Sequence, residues 1–318
     1  MNKKNKVLTI GDGLITMNPL ANGPLRFVTN FERKMGGAEL NFAIGMARLG
    51  IDCKWISRLG ADEFGRAIYN FARGEGVDVS EIKYEAGFPT SLNFKQINGD
   101  GSGETFYYRD NSPITRLNAH SITDEMLEDV TLVHVTGVFL SIYKESLEVV
   151  ETLLKKAQEK GITVSFDPNL RLKMWTIKEA RTTFESIYPY VDIMLTGLDE
   201  LKLLTEKNSK DDFLEFAKEH NIKDLVIKDG GNGAALLKDG SWSEYEAFKV
   251  NVIDTVGAGD GFNVGYIYGY LNDFDRDETM KYANGIGALV TTVSGDNEGL
   301  PYIKQLEAFI NDKQIIER

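Results

Sequence analysis

The sequence predicts an α/β chain with a mostly parallel central sheet flanked by helices and a small β-sheet lid. Three observations carry this. From about residue 130 onward, short apolar runs ending in glycine or a carboxylate alternate with stretches of helical periodicity. Earlier in the chain, two alternating runs around Asn98-Gly99-Asp100-Gly101 interrupt that rhythm with a hairpin signal. The last third is almost wholly helical, which suits a sheet covered on both faces.

Taken in order, residues 7–10 form a short apolar strand ended by Gly11, and residues 18–31 are polar and turn-rich. Residues 38–49 place small and apolar side chains at helical spacing, with Gly50 just past the end. A strand at 53–56 and a helix at 62–75 follow. The runs 91–97 and 105–109 are the lid hairpin, and the segment near 18–31 is expected to pair with it. Strands are then expected at 132–138, 163–166, 193–195 and 225–228. Helices separate them at 144–160, 177–186, 200–205 and 211–219. An antiparallel pair, 234–237 with 244–248, precedes helices at 258–271, 277–293 and 303–311. One domain, 1–318, with lid segments near 14–34 and 88–112, accounts for all of this.

Composition narrows the function. The net charge of −12 would repel a polyanion overall, so no nucleic-acid partner is expected. Binding an anion such as ATP would require a local positive field from backbone amides, a helix N-terminus or a metal ion. No apolar stretch reaches the length of a membrane span, and residues 1–6 lack the pattern of a signal peptide. The single cysteine, Cys53, cannot form an internal disulfide, which suits a reducing compartment, and the expected location is cytoplasmic.

In an open α/β sheet, ligands bind beyond the carboxyl ends of the strands. The polar residues there are Asp12, Gly137, Asp167, Asn169, Gly197, Asp229 and Gly230. The strongest local signal is Asp254-Thr255-Val256-Gly257-Ala258-Gly259-Asp260 at the head of an apolar helix. Small residues there leave first-turn amides open to an anion, and Asp260 at the edge could accept a proton from a hydroxyl. Aspartate is also a common N-cap and glycine a common turn residue, so alone the motif is weak. A second stretch, Gly36-Gly37-Ala38-Glu39-Leu40-Asn41, opens a helix with glycines that let backbone approach a ligand. It could equally serve tight packing.

Together the two stretches resemble the two signatures of the ribokinase/PfkB sugar kinases, in the right order and far apart, and the likeness spans essentially the whole chain. The resemblance implies ATP and magnesium as cofactors, with Asp260 as the base and Gly257, Ala258 and Gly259 as the anion hole. It places Thr255, Asn169, Lys228, Gly230, Gly233 and Asn284 at the nucleotide, and Glu200 at the metal. Asp12, Gly36, Gly37, Asn41 and Asn93 fall at the sugar. Monovalent-cation activation is common in such relatives. The chain has no Gly-x-x-x-x-Gly-Lys-Ser/Thr motif, which counts against a P-loop enzyme.

Tyr107-Tyr108-Arg109 and Asp167-Pro168-Asn169-Leu170-Arg171 resemble the 2-keto-3-deoxygluconate kinase branch. There Tyr107, Arg109 and Arg171 would hold the keto-acid end, since guanidinium pairs bidentately with carboxylate. Gly197 stands where many family members carry asparagine, and Asn93 where this branch often carries an aromatic. A fructokinase or other neutral-sugar kinase is the alternative, provided that the two arginines pair with protein carboxylates instead. A non-catalytic sugar sensor and a dinucleotide oxidoreductase are further readings. The latter is weakened because Gly11-Asp12-Gly13 lacks the third glycine of its fingerprint. A homodimer formed through the lid is the expected assembly.

Overall fold

The computed structural model describes residues 5–99 and 103–312. Asp100 and Gly101 of the hairpin turn, and residues 1–4, lie outside the described residues.

The described residues hold thirteen strands: β1 (Lys6–Ile10), β2 (Leu14–Pro19), β3 (Phe31–Gly36), β4 (Asp52–Gly60), β5 (Ile82–Glu85), β6 (Leu92–Ile97), β7 (Gly103–Tyr108), β8 (Leu132–Thr136), β9 (Thr163–Asp167), β10 (Ile193–Gly197), β11 (Asp224–Lys228), β12 (Ala234–Lys238) and β13 (Ser241–Tyr245). Nine form one sheet in the order β13-β12-β11-β10-β9-β8-β1-β4-β5. It is parallel from β11 to β5, while β12 and β13 add an antiparallel edge. The other four form a separate sheet, β3-β2-β6-β7, which is the lid.

The large sheet is buried on both faces, which explains why its strands read as nearly continuous apolar runs. Successive residues alternate between two cores. Leu8, Val133, Phe166, Leu225 and Ile227 face one, packed beneath the helices Ser146–Glu159, Ile177–Ile187 and Lys210–Glu219. Val7, Trp55, Leu132, Leu195 and Val226 face the other, beneath the helices Ala38–Arg48, Ala258–Leu271 and Arg276–Val290. The strand ends on one edge of this layer therefore meet the N-termini of helices on both sides.

Several boundaries differ from the sequence reading. The turn-rich segment 18–31 is flanked by two strands of its own, β2 and β3. Strand β2 starts at Leu14, directly after the Gly-Asp-Gly turn. Strand β5 went unread because two of its four residues are exposed and it has no apolar run. The strand at 132–138 stops at Thr136, whose hydroxyl accepts from the Val138 amide and starts a helical turn. The last strand is Ser241–Tyr245 rather than 244–248, since the tight turn at Asp239-Gly240 sets its register against β12. The penultimate helix runs Arg276–Val290, stopping three residues short of 293.

Candidate active site

Asp260 sits in the first turn of the helix Ala258–Leu271, whose N-cap is Gly257 at φ 77°. Two constraints hold glycine there. The backbone is left-handed, and a Cβ would stand 2.1 Å from the Asp296 carbonyl oxygen. First-turn amides have no acceptor one helical turn earlier; the Ala258 amide reaches the Thr255 carbonyl at 3.3 Å, and the rest of the Gly257–Asp260 turn presents its donors with the positive end of the helix dipole. Asp260 is 9% exposed, and its Oδ2 accepts from Asn41 Nδ2 at 2.8 Å. Burial pushes its carboxyl up to about 7. The Asn41 hydrogen bond, Arg171 and Lys228 oppose that shift, and the charge of Asp167 adds to it.

Below the turn lies a closed polar triad. Lys228 Nζ, at the end of β11, reaches Asp167 Oδ2 at 2.9 Å and Asn263 Oδ1 at 3.1 Å, while Asn263 Nδ2 donates to Asp167 Oδ2 at 2.6 Å. The sequence reading does not single out Asn263; an amide one turn after Asp260 in a mostly apolar helix is its only signal.

A cleft of about 610 Å³ opens over the turn. Thr255, Gly257, Ala258, Gly259 and Asp260 form one wall, and Asn284 of the helix Arg276–Val290 closes it from behind. Lys228, Gly230 and Gly233 line it from the β11 end, and Asn169, Arg171 and Glu200 from the ends of β9 and β10. Phe248, Val250 and Val252 give it an apolar mouth. A nucleotide's phosphates fit the amide turn, and its base the apolar mouth. The Arg171 side chain makes no hydrogen bond or ion pair with the described residues. Glu200 is committed to the backbone: its two oxygens accept from Leu170 N at 2.7 Å and Gly197 N at 3.0 Å. No group of three or more metal-ligating side chains occurs among the described residues.

The remaining expected residues gather between the lid and β1. Gly37, at φ 132°, has no room for a Cβ, which would lie 2.4 Å from the Asp12 carbonyl oxygen. Asp12 is 2% exposed; Ser91 Oγ donates to its Oδ2 at 2.8 Å, and so does Arg109 Nη2 at 2.8 Å. Arg109 is thus a buried ion pair rather than a lid-surface one, and its guanidinium also lies over the Tyr107 ring at 5.7 Å. In the lid, Asn93 stands beside Thr16 on one side and Tyr107 on the other. Asp12 Oδ1, Thr16 Oγ1, Asn93 Oδ1 and Arg109 Nε are buried without a hydrogen-bond partner among the described residues. Buried polar groups are rarely left so, and the cluster fits a hydroxyl-rich ligand. Thr16 escaped the sequence reading because β2 did. Glu39 escaped too: fully buried, it accepts from Thr136 Oγ1 and packs against Gly11, with its carboxyl pushed up to about 7 by burial.

Asn41 joins the two halves, since its helix begins at the lid root and its side chain ends on Asp260. The arrangement can bring a sugar hydroxyl, a carboxylate and a phosphate-binding turn to one place.

Comparison with known proteins agrees. The chain is 32% identical over 308 residues to a 2-dehydro-3-deoxygluconokinase of Thermoproteus tenax, covering 96% of this chain and 94% of that one. It is 30% identical to the enzyme of that name in Bacillus subtilis strain 168, over 99% and 98% of the two chains. It is also 30% identical to a probable fructokinase-3 of Arabidopsis thaliana, over 98% and 93%. Among solved structures, a putative ribokinase II from E. coli in complex with ATP and magnesium superposes with a TM-score of 0.91 at 27% identity, over 97% and 99% of the chains. The 2-dehydro-3-deoxygluconokinase of Thermotoga maritima gives 0.88 at 25%, over 96% and 98%. The family model of pfkB carbohydrate kinases matches residues 4–303. The chain therefore belongs to the pfkB family of carbohydrate kinases and is an ATP-dependent sugar phosphotransferase.

Proposed function

We propose that the enzyme phosphorylates 2-keto-3-deoxygluconate, the 2-dehydro-3-deoxy acid, at its 6-hydroxyl. The observation that carries this reading is the uncommitted guanidinium of Arg171, which lines the same cleft as Asp260 and draws on its charge. A lone cation at a cleft wall favours a substrate with an anionic end. The likeness to two kinases of that acid supports it.

The sugar's hydroxyls take the open partners at Asp12, Thr16 and Asn93, and Tyr107 and Arg109 close on it from the lid. Asp260 accepts the proton of the 6-hydroxyl. The oxygen bonds to the γ-phosphorus as the bond to the β–γ bridging oxygen breaks, and ADP leaves. The amides of Gly257 to Gly259 hold the transferring group. Thr255, Asn169, Lys228, Gly230, Gly233 and Asn284 hold the nucleotide. Magnesium, when bound, neutralises charge on the β- and γ-phosphates, with Glu200 at its side of the cleft.

A neutral-sugar kinase is the second reading, and one contact favours it: Arg109 already has a protein carboxylate, Asp12, at 2.8 Å. ADP release with ATP and magnesium, measured on 2-keto-3-deoxygluconate, fructose and ribose, separates the two. Turnover confined to the keto acid supports the proposal, and turnover on fructose alone rejects it. The same reading places the enzyme in the cytoplasm as a dimer formed through the lid, whose outer face exposes Phe106 and Tyr108. No helix among the described residues is long and apolar enough to cross a membrane.

A further inference from the structure

A chain of amides runs from the lid to Asp260. Asn297, 1% exposed, donates from Nδ2 to the Met35 carbonyl at 2.9 Å and to Asn41 Oδ1 at 3.2 Å. Asn41 Nδ2 in turn donates to Asp260 Oδ2 at 2.8 Å. Met35 lies at the root of lid strand β3, next to the Gly36-Gly37 pair.

Chemistry fixes the polarity of this chain. A backbone carbonyl only accepts, so Asn297 must turn its NH₂ toward Met35. Its second N–H then faces Asn41, which must answer with its oxygen and is left with its own NH₂ for Asp260. The segment is pinned where this works. Arg48 Nη1 holds the Asn297 carbonyl at 2.8 Å, Arg48 is on the helix that carries Asn41, and Glu75 holds Arg48 at 2.8 Å. A second tie reaches the neighbouring residue from the lid: Lys95 of β6 to Asp296 at 2.8 Å. Asn297 does not line the nucleotide cleft.

We propose that Asn297 is a positioning residue that transmits the seating of the lid to the Asp260 carboxylate. The inference rests on the reading of Asp260 as the base. With the lid seated, Asn297 is locked, Asn41 presents its NH₂, and Oδ2 of Asp260 is occupied, which leaves Oδ1 to meet the sugar hydroxyl. With the lid displaced, Asn297 loses an acceptor, and the two amides are free to turn. The base is then set only when the lid covers the site.

The test uses the full-length Asn297→Ser and Asn297→Asp variants. Serine removes both amide hydrogens without adding charge, and an ionised aspartate cannot donate at all. The readouts are kcat and KM by ADP release on 2-keto-3-deoxygluconate and fructose, and the ¹³C carboxyl titration of Asp260 in sugar-free protein, its resonance assigned with Asp260→Asn. The other charged groups facing Asp260 are Asp167, Arg171 and Lys228, with Glu39 on the Asn41 helix, and all stay in place. Both variants are expected to lose on the order of 10–100-fold in kcat, as a small misplacement of a catalytic group does, with each KM within about twofold. In the serine variant the Asp260 midpoint moves up by about one pH unit, the worth of a lost hydrogen bond to a carboxylate. A folded serine variant with wild-type kcat and an unmoved midpoint overturns the proposal; should the aspartate variant not fold, serine alone decides. Full turnover by Asp260→Asn would instead reject the base assignment, and the titration would still report whether Asn297 orients that carboxylate.

Discussion

Replacing Asp260 with asparagine is expected to abolish turnover and, above neutral pH, to stabilise the fold. The carboxyl is raised by burial from 3.8 to about 7. Its folded-state value lies above its unfolded one, so its contribution to stability is fully present below about 3.8 and is lost as the pH rises through about 7. At pH 8 the native protein carries a buried charge that the unfolded chain would carry in water. A difference of about 3 pH units at ~1.4 kcal/mol each gives about 4 kcal/mol as the upper bound on what the neutral amide recovers. For a chain of 318 residues this corresponds to roughly 6 °C in Tm. Asn41 can still donate to the new amide oxygen, so the contact survives. The assay is thermal unfolding of both proteins at pH 4.5, 6 and 8, alongside ADP release. The gap should be small at pH 4.5 and widest at pH 8. A gap that does not change with pH would refute the argument that desolvation sets this carboxyl, and retained turnover would refute its role as base. For the wild type, kcat/KM should rise with pH through about 7 as the base ionises, measured across pH 5.5–8.5.

Gly257→Ala should cost more than about 2 kcal/mol in urea unfolding, because a left-handed backbone and the Asp296 carbonyl both oppose a Cβ. It should also lower kcat on the order of 100-fold by displacing the amide turn. Lys228→Met strands the Asp167 carboxylate, 2% exposed, without its cation. A loss of about 3–5 kcal/mol is expected in the same assay, with a raised KM for ATP. Arg171→Ala should lower kcat/KM for 2-keto-3-deoxygluconate by about 10–100-fold and leave any fructose turnover unchanged, which a side-by-side ADP-release assay would read.

The large sheet was legible because each of its central strands is an apolar run bounded by glycine or carboxylate. Leu225–Lys228 and Thr163–Phe166 fall where those runs are. The lid was legible only in part. Its hairpin announces itself through Asn98-Gly99, but β2 and β3 mix Thr16, Asn18, Glu32 and Lys34 with apolar residues, since one face of each strand turns to the site. Strand β5, with Lys83 and Tyr84 exposed, gave no pattern at all.

The sequence by itself determined the reaction's framework. Gly257-Ala258-Gly259-Asp260 and Gly36-Gly37 are local requirements of backbone geometry, and local requirements are written in consecutive residues. Only the tertiary structure decided what surrounds them. The ion pair of Arg109 with Asp12, the triad of Asp167, Lys228 and Asn263, and the path from Met35 through Asn297 and Asn41 to Asp260 join residues separated by 35 to 262 positions. Such contacts leave no periodicity in the chain, because which buried donor meets which acceptor is settled by the packing of whole elements and not by the residues on either side.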